Sequence, residues 1–272
     1  MATIAQWDIN NECNLNCKHC RVSEKNDNEK LSLREAKNLL AEFWYNGITM
    51  LNLSGGEPFL RNDIFEILDY AKNFEDIVIT TNGTLLNDEK CKKLASYENI
   101  KLSISLDGLE ETHDKFRRTK GAFKKVIDIL PILNKYNIKY AIKYTLSKET
   151  AKDANELLKL VANLGATEFN VRRVIVAGNA SKDMVLSNEE YKNIIRELIQ
   201  NCRKLNVKFR TGDPLLIPIF SEVWGIDIKN DDLSKIYAGC QAGDEIIYID
   251  YKGNVGACSY IPRFADNIKD KS

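Results

Sequence analysis

Short apolar runs alternate with longer amphipathic segments about six times before residue 206, and few folds accommodate that rhythm. The apolar runs fall at residues 4–9, 48–53, 77–81, 101–106, 139–146 and 168–175, each of strand length. Between them the spacing predicts helices. Ser32 and Glu35 read as a capping box, and Ala36, Leu39, Leu40, Phe43 and Trp44 follow on one face. A second box, Ser187 with Glu190, opens the last helix, which carries Tyr191, Ile194, Ile195, Leu198, Cys202 and Leu205. Further helices are expected from Asn62-Asp63, from near Asn87, through Phe123–Leu130 and through Ala154–Val161. A repeated βα unit implies a parallel sheet with right-handed crossovers. Six units fall short of the eight of a closed barrel, so the expected fold is α/β, a partial (βα)6 TIM-like barrel. An open doubly wound sheet is the alternative.

The strands are not apolar on both faces. Ser103, Ser105 and Asp107 alternate with Leu102, Ile104 and Leu106, and Gln6, Asp8 and Asn10 alternate with Trp7 and Ile9. A parallel strand covered on both sides would read apolar throughout. The polar side therefore faces a wet or hydrogen-bonding lumen, or else lies at a solvent-facing edge. After about Val207 the rhythm stops. A loop-rich stretch with Pro214 and Pro218 runs to Gly239, and residues 245–258 read as a β-hairpin turning at Lys252-Gly253-Asn254. The expected division is 1–206 for the barrel and 207–272 for a C-terminal extension.

Charge and hydropathy exclude several classes. Lys and Arg total 39 against 39 Asp and Glu, so no global basic field draws nucleic acid or an anionic membrane. No apolar run has the length of a membrane span and the first residues lack a signal pattern, so a cytoplasmic protein is expected. In that compartment the seven cysteines serve as metal ligands or core thiols rather than disulfides.

Three of them, Cys13, Cys17 and Cys20, form a C-x3-C-x2-C loop directly after the first strand. Three thiolates in one short loop can each bind one iron of a cuboidal cluster and leave a fourth iron open to a ligand. A zinc site is the alternative, with His19 or a distant residue as fourth ligand. Cys91 and Cys202 lie on apolar helix faces and read as core. On a βα barrel, loops after strands build the active site, which is where this one stands.

Four motifs follow four successive strands: the cysteine loop, Ser54-Gly55-Gly56-Glu57-Pro58, Thr80-Thr81-Asn82-Gly83 and Ser103-Ile104-Ser105-Leu106-Asp107-Gly108. In this order they resemble the radical S-adenosylmethionine (SAM) superfamily. The resemblance implies a [4Fe-4S] cluster on Cys13, Cys17 and Cys20, with SAM chelating the open iron. It further implies that Gly55 and Gly56 keep the backbone clear beside the SAM amino group, with Glu57 and Pro58 fixing that turn. Ser105 matches the position that binds the SAM ribose, with Asn82 and Asp107 as similar candidates or helix caps. Arg117, in His113-Asp114-Lys115-Phe116-Arg117, matches the partner of the SAM carboxylate, and Arg173 is a second guanidinium candidate; either is otherwise a surface ion pair. His19 is expected to pack on the cofactor, and His113 to be structural. The implied reaction is one-electron cleavage of SAM to a 5′-deoxyadenosyl radical that abstracts hydrogen, with flavodoxin or ferredoxin as reducing partner.

Cys240 and Cys258, with Gly253 five residues before Cys258, resemble the start of a SPASM or twitch region that holds auxiliary [4Fe-4S] clusters. Asp266-Asn267-Ile268 resembles the segment after the first auxiliary half, so the expectation is a SPASM region that this chain leaves incomplete, or a degenerate auxiliary site. Ser259 and Val22 depart from the sulfatase-maturase pattern. The implied substrate is a ribosomal precursor peptide or protein that is crosslinked or oxidised, with no separate N-terminal recognition domain expected. Cofactor or small-molecule biosynthesis is the alternative. A non-catalytic iron–sulfur carrier and a zinc-stabilised binding protein are the readings from other classes.

Overall fold

Each of the six apolar runs forms a strand, and the six pair in parallel in chain order: β1 (Ile4–Asn10), β2 (Met50–Gly55), β3 (Asp76–Thr81), β4 (Ile100–Ser105), β5 (Lys139–Leu146) and β6 (Glu168–Arg173). The computed structural model describes residues 3–22, 29–213, 216, 219, 222–223, 240–261 and 263–270. Pro214, Pro218 and Gly239 of the expected loop lie outside the described residues. Seven helices connect the described strands: α1 (Leu33–Tyr45), α2 (Ile64–Ala71), α3 (Asp88–Leu94), α4 (Glu110–Arg117), α5 (Ala122–Lys135), α6 (Ala154–Asn163) and α7 (Asn188–Lys204). Both capping boxes form, Ser32 with Glu35 and Ser187 with Glu190, and the Asn87 side chain caps α3 by accepting from Lys90 N.

The apolar alternates of the strands face the helices. Trp7, Ile9, Leu51, Leu53, Ile79, Ile104 and Val171 have no exposed surface, and α2 and α6 bury Ile67, Leu68, Leu157 and Leu158 against the same layer. Each such aliphatic side chain contributes about 1.5–3 kcal/mol relative to an exposed one. Cys91 and Cys202 belong to this core, where burial raises their thiols to about 11 and about 12. The other strand face is turned inward, and parallel register aligns its residues: Ser105 lies beside Lys143, Lys143 beside Asn170, and Thr145 beside Arg172.

Two differences from the sequence reading have clear causes. α4 is a full helix, yet its buried face is Thr112, His113, Phe116 and Arg117, so apolar periodicity could not announce it. The C-terminal residues do not stand beside the sheet but extend it. β7 (Lys208–Arg210) pairs in parallel with β6, β8 (Ile246–Ile249) pairs in parallel with β1, and β9 (Asn254–Gly256) and β10 (Phe264–Asn267) continue antiparallel beyond β8. The expected hairpin forms, with its turn at 250–253 rather than at Lys252-Gly253-Asn254, because Asn254 already pairs in β9. The order β10-β9-β8-β1-β2-β3-β4-β5-β6-β7 leaves the sheet open. Among the described residues no helix is long and apolar enough to cross a membrane.

Candidate active site

The cysteine loop leaves the carboxyl end of β1 and is held by four neighbouring segments. Glu57 N donates to Glu12 O at 2.7 Å, and Asn82 Nδ2 donates to Asn14 Oδ1 at 2.9 Å. Lys18 N donates to Phe116 O of α4 at 2.9 Å, and Asn179 N, after β6, donates to Cys20 O at 2.8 Å. Cys13, Cys17 and Cys20 form no disulfide, with Cys17 buried and the other two half-buried. N–H groups already point at two of the sulfurs: Leu15 N lies 3.4 Å from Cys13 Sγ, and Arg117 Nη1 lies 3.6 Å from Cys17 Sγ.

Gly55 and Gly56 stand where this loop passes closest to β2. A Cβ on Gly55, at φ 128°, would stand 2.2 Å from Asn10 O, and one on Gly56 would stand 1.9 Å from Glu12 O. Backbone meets backbone there, and only glycine lets β2 end against the start of the cluster loop. Glu57 is fully buried and braces the turn. Its Oε1 accepts from Thr81 Oγ1 at 2.7 Å and from Phe59 N at 3.2 Å, and its Oε2 accepts from Asn82 N at 2.8 Å. Burial raises its carboxyl above the usual range against the pull of those donors. Pro58, also buried, starts the short 3-10 turn that follows. Asn82 caps its own turn by accepting from Thr84 N at 2.9 Å, and its amide nitrogen lies 3.9 Å from Cys13 Sγ.

On the opposite side, Arg117 of α4 forms an ion pair with Asp107, and both are buried. Burial opposes the charge on Asp107, but Arg117, the two imidazoles and the Thr145 amide outweigh it and hold the carboxyl below its ordinary range. His113 Nδ1 accepts from Asp107 N at 3.0 Å, and burial together with Arg117 lowers the imidazole to about 4, so this histidine is a neutral structural brace. His19 stacks on Phe116 with centroids 4.5 Å apart, and burial lowers it to about 3. Ser105 is buried at the end of β4 with no side-chain partner among the described residues.

Arg173 forms the ion pair named as its alternative. Its Nε donates to Asp213 Oδ2 at 2.6 Å and its guanidinium lies 4.4 Å from the Tyr191 ring centroid, so it closes the β6–α7 side of the fold. Its neighbour Arg172, one residue earlier and therefore on the other strand face, lines the lumen instead.

The donor set fits an iron–sulfur cluster with a polar ligand. Asn10 Oδ1, Asn11 Oδ1, His19 Nδ1 and Arg117 Nε are buried without hydrogen-bond partners among the described residues, all around the cysteine loop. Each such orphan costs about 1–3 kcal/mol, so their grouping marks a place completed by a bound molecule. A tetrahedral zinc would draw its ligands onto a single ion. A four-iron cluster instead takes each thiolate on a different iron.

Beside this loop the lumen opens into a cavity of about 1220 Å³, reached by Gln6, Ser54, Thr80 and Lys143. The polar alternation of β1 thus does face a cavity. Cys240 and Cys258 both line it, Cys240 exposed and Cys258 half-buried, and neither is in a disulfide. Two groups here have partners that the sequence pattern did not assign. Asp8 accepts from Ser54 Oγ at 2.7 Å and from Tyr248 Oη at 2.6 Å and pairs with Arg21, which ties β1, β2, β8 and the cysteine loop together. Lys143 lies on the lumen face of β5, where burial and the guanidinium groups of Arg172, Arg21 and Arg117 bring it down to about 7. An isolated lysine between Ile142 and Tyr144 was the available signal.

The family model described as Radical SAM superfamily matches residues 7–161. The AdoMet-dependent heme synthase of Methanosarcina barkeri is 30% identical over 275 residues, covering 97% of this chain and 79% of the relative. The sporulation killing factor maturation protein SkfB of Bacillus subtilis is 26% identical over 252 residues, covering 92% of this chain and 58% of the relative. Among solved structures, Streptococcus suis SuiB bound to precursor peptide SuiA superposes with a TM-score of 0.84 at 19% identity, covering 100% of this chain and 63% of that one. The chain therefore spans less than two thirds of the latter two proteins.

Proposed function

The chain belongs to the radical SAM superfamily of enzymes, and from that membership we propose that it takes a hydrogen atom from an organic substrate held in the lumen cavity. The observation that carries the proposal is the loop of three unbridged cysteines with Arg117 Nη1 3.6 Å from Cys17 Sγ. Cys13, Cys17 and Cys20 would hold the [4Fe-4S] cluster. Arg117 would meet the SAM carboxylate, Ser105 the ribose, and the main chain of Gly55–Pro58 the amino group. Asn82, Asp107 and Glu57 hold those groups in position. When bound, the reduced cluster and SAM supply the 5′-deoxyadenosyl radical. Cys240 and Cys258 would supply two ligands of an auxiliary cluster at the cavity wall. A flavodoxin or ferredoxin would deliver the electron, in the cytoplasm.

Two substrate classes have support. A precursor peptide or protein is supported by the relative named as a maturation protein. Cofactor biosynthesis is supported by the relative named as a heme synthase, which matches almost the whole chain, and by the charge of the cavity. Anaerobic reconstitution tests the enzyme class: cluster absorbance and 5′-deoxyadenosine with dithionite and SAM are expected, and neither with Cys17→Ala. A wild-type chain with no cluster absorbance and no 5′-deoxyadenosine would falsify it.

A further inference from the structure

The cavity is lined by Arg21, Lys143, Arg172, Arg203, Lys208 and Arg210, and among the described lining residues there is no Asp or Glu. Over the whole chain the two signs balance at 39 each. Elsewhere cations meet acids, as Lys18 meets Glu149, Lys101 meets Glu168 and Arg173 meets Asp213. Among the described residues of the cavity wall, Arg21 pairs closely with Asp8, and Arg210 stands 3.8 Å from Glu168. Lys143, Arg172, Arg203 and Lys208 have no ion pair among the described residues. Like charges gathered along a concave surface repel one another until anions enter and raise the local concentration of anions, most strongly at Arg21 and Lys143, the two of the six that are not exposed.

We infer that this cavity binds a compact substrate carrying several carboxylates, with Lys143 and Arg172 as the pair that selects it. The inference rests on reading the cavity as the substrate pocket of a radical SAM enzyme. Lys143, Arg172, Lys208 and Arg210 come from the adjacent strands β5, β6 and β7, Arg203 from the end of α7 and Arg21 from the loop after β1, so they spread across a wall several strands wide instead of following a line. A patch of that width suits carboxylates spread over one body better than the single row presented by an extended acidic peptide. Lys143 sits beside Ser105 in register, at the end of the cavity nearest Asp107 and Arg117. A carboxylate held there lies on the Ser105 and Arg117 side of the cavity, while the exposed Arg172 offers a planar fork for a second contact.

The probe is coproporphyrin III, a planar molecule with four propionates, compared with its tetramethyl ester, the same body without charge, and with a glutamate-rich peptide. Binding to the reconstituted chain is followed by the porphyrin absorbance and fluorescence. The acid should bind at least about tenfold more tightly than the ester, and Lys143→Met and Arg172→Met should each weaken the acid by about tenfold. Lys143→Arg and Arg172→Lys, which keep the charge, should retain most of the affinity, and they stand in if a methionine variant fails to fold. Lys124→Met, on the exposed face of α5, should change nothing. Equal binding of acid and ester, or changes within about twofold in both methionine variants, overturns the inference. So does tighter binding of the peptide than of the porphyrin. If the same wild-type preparation forms 5′-deoxyadenosine while these results come out negative, only the carboxylate inference falls. If it forms none, the enzyme class falls first.

Discussion

Arg117 Nη1 points at the sulfur of Cys17 from 3.6 Å while the same guanidinium is ion-paired with the buried Asp107. One side chain thus touches a proposed cluster ligand and neutralises a carboxylate that has no exposed surface. Replacing Arg117 with Met removes both interactions and leaves Asp107 buried and unpaired, at about 3–5 kcal/mol of stability. Adding Asp107→Asn should recover most of that loss. The double variant should still show a more negative cluster midpoint potential, because hydrogen bonds to cluster sulfurs favour the reduced state. Urea midpoints and redox titration of the single and double variants check the two effects separately, and an unchanged potential in the double variant would remove Arg117 from the cluster.

Gly56→Ala should be far more damaging than an ordinary Gly-to-Ala change. The added methyl would stand 1.9 Å from Glu12 O, a backbone atom that cannot rotate away. The expected result is loss of cluster retention with a melting temperature lowered by at least about 5 °C. Gly47→Ala is the reference: its Cβ meets nothing within 4 Å, although its φ of 75° strains any side chain. A Gly56→Ala protein that keeps its cluster would mean that the loop adjusts.

Glu57→Ala strands the amides of Phe59 and Asn82 and the Thr81 hydroxyl in the interior, so a loss of about 3–5 kcal/mol is expected. Glu57→Gln keeps the shape but turns one acceptor into a donor facing an N–H, at about 1–3 kcal/mol. Chemical denaturation of the two variants gives this ranking directly. Equal stability of Glu57→Ala and wild type would show that the brace is dispensable.

The frame of the protein was readable because each level of the sequence agreed with the next. Ser32 and Ser187 cap where their patterns say, and Leu51, Leu53, Ile77 and Ile79 alternate as strands against helices should. The position of the three-cysteine loop followed from strand order alone. What sequence could not supply was the use made of charged residues inside. Arg117 and His113 form the buried face of a helix, and Arg61 has 2% exposure because it donates to the carbonyls of Ile9 and Leu31, so the hydrophobic pattern passes over all three. Arg172 and Arg173 are adjacent and chemically identical, and only strand parity sends one to the lumen and the other to Asp213. The joining of β8 to β1 depends on pairing across more than 240 residues, which local periodicity does not encode.

His113 makes the protein acid-labile over a defined interval. Its folded-state pKa is lowered to about 4 from 6.5, chiefly by burial and then by Arg117, so the unfolded chain takes up a proton at higher pH than the folded one. Stability from this group is therefore complete above pH 6.5 and is lost as pH falls toward 4. Between pH 7 and pH 5 the loss should be about 2 kcal/mol. Protonation would also destroy the acceptor that receives Asp107 N. His113→Asn, which offers an amide oxygen instead, should remove about half of the fall in the urea midpoint between pH 7 and pH 5, the other half coming from His19, which burial lowers to about 3. An unchanged slope would assign the acid sensitivity to other groups.

Lys143 sets an opposite pair of trends at higher pH. Burial first, then Arg172, Arg21 and Arg117, lower its pKa from 10.5 to about 7, with Asp107 acting in the other sense. The folded chain therefore binds fewer protons than the unfolded chain between those values, and the empty protein should gain stability as pH rises through them. Binding of an anion should run the other way. A carboxylate in the cavity favours the ammonium form, so affinity should fall as pH rises above 7, and the bound protein should release less of its stability on acidification. Lys143→Met removes both trends, whereas Lys143→Arg keeps a charge that does not titrate and holds affinity level with pH. Melting curves from pH 6 to pH 10, with and without a tetracarboxylate, measure the two slopes together. Parallel curves for wild type and Lys143→Met would show that Lys143 is fully protonated across that range and takes no part in either.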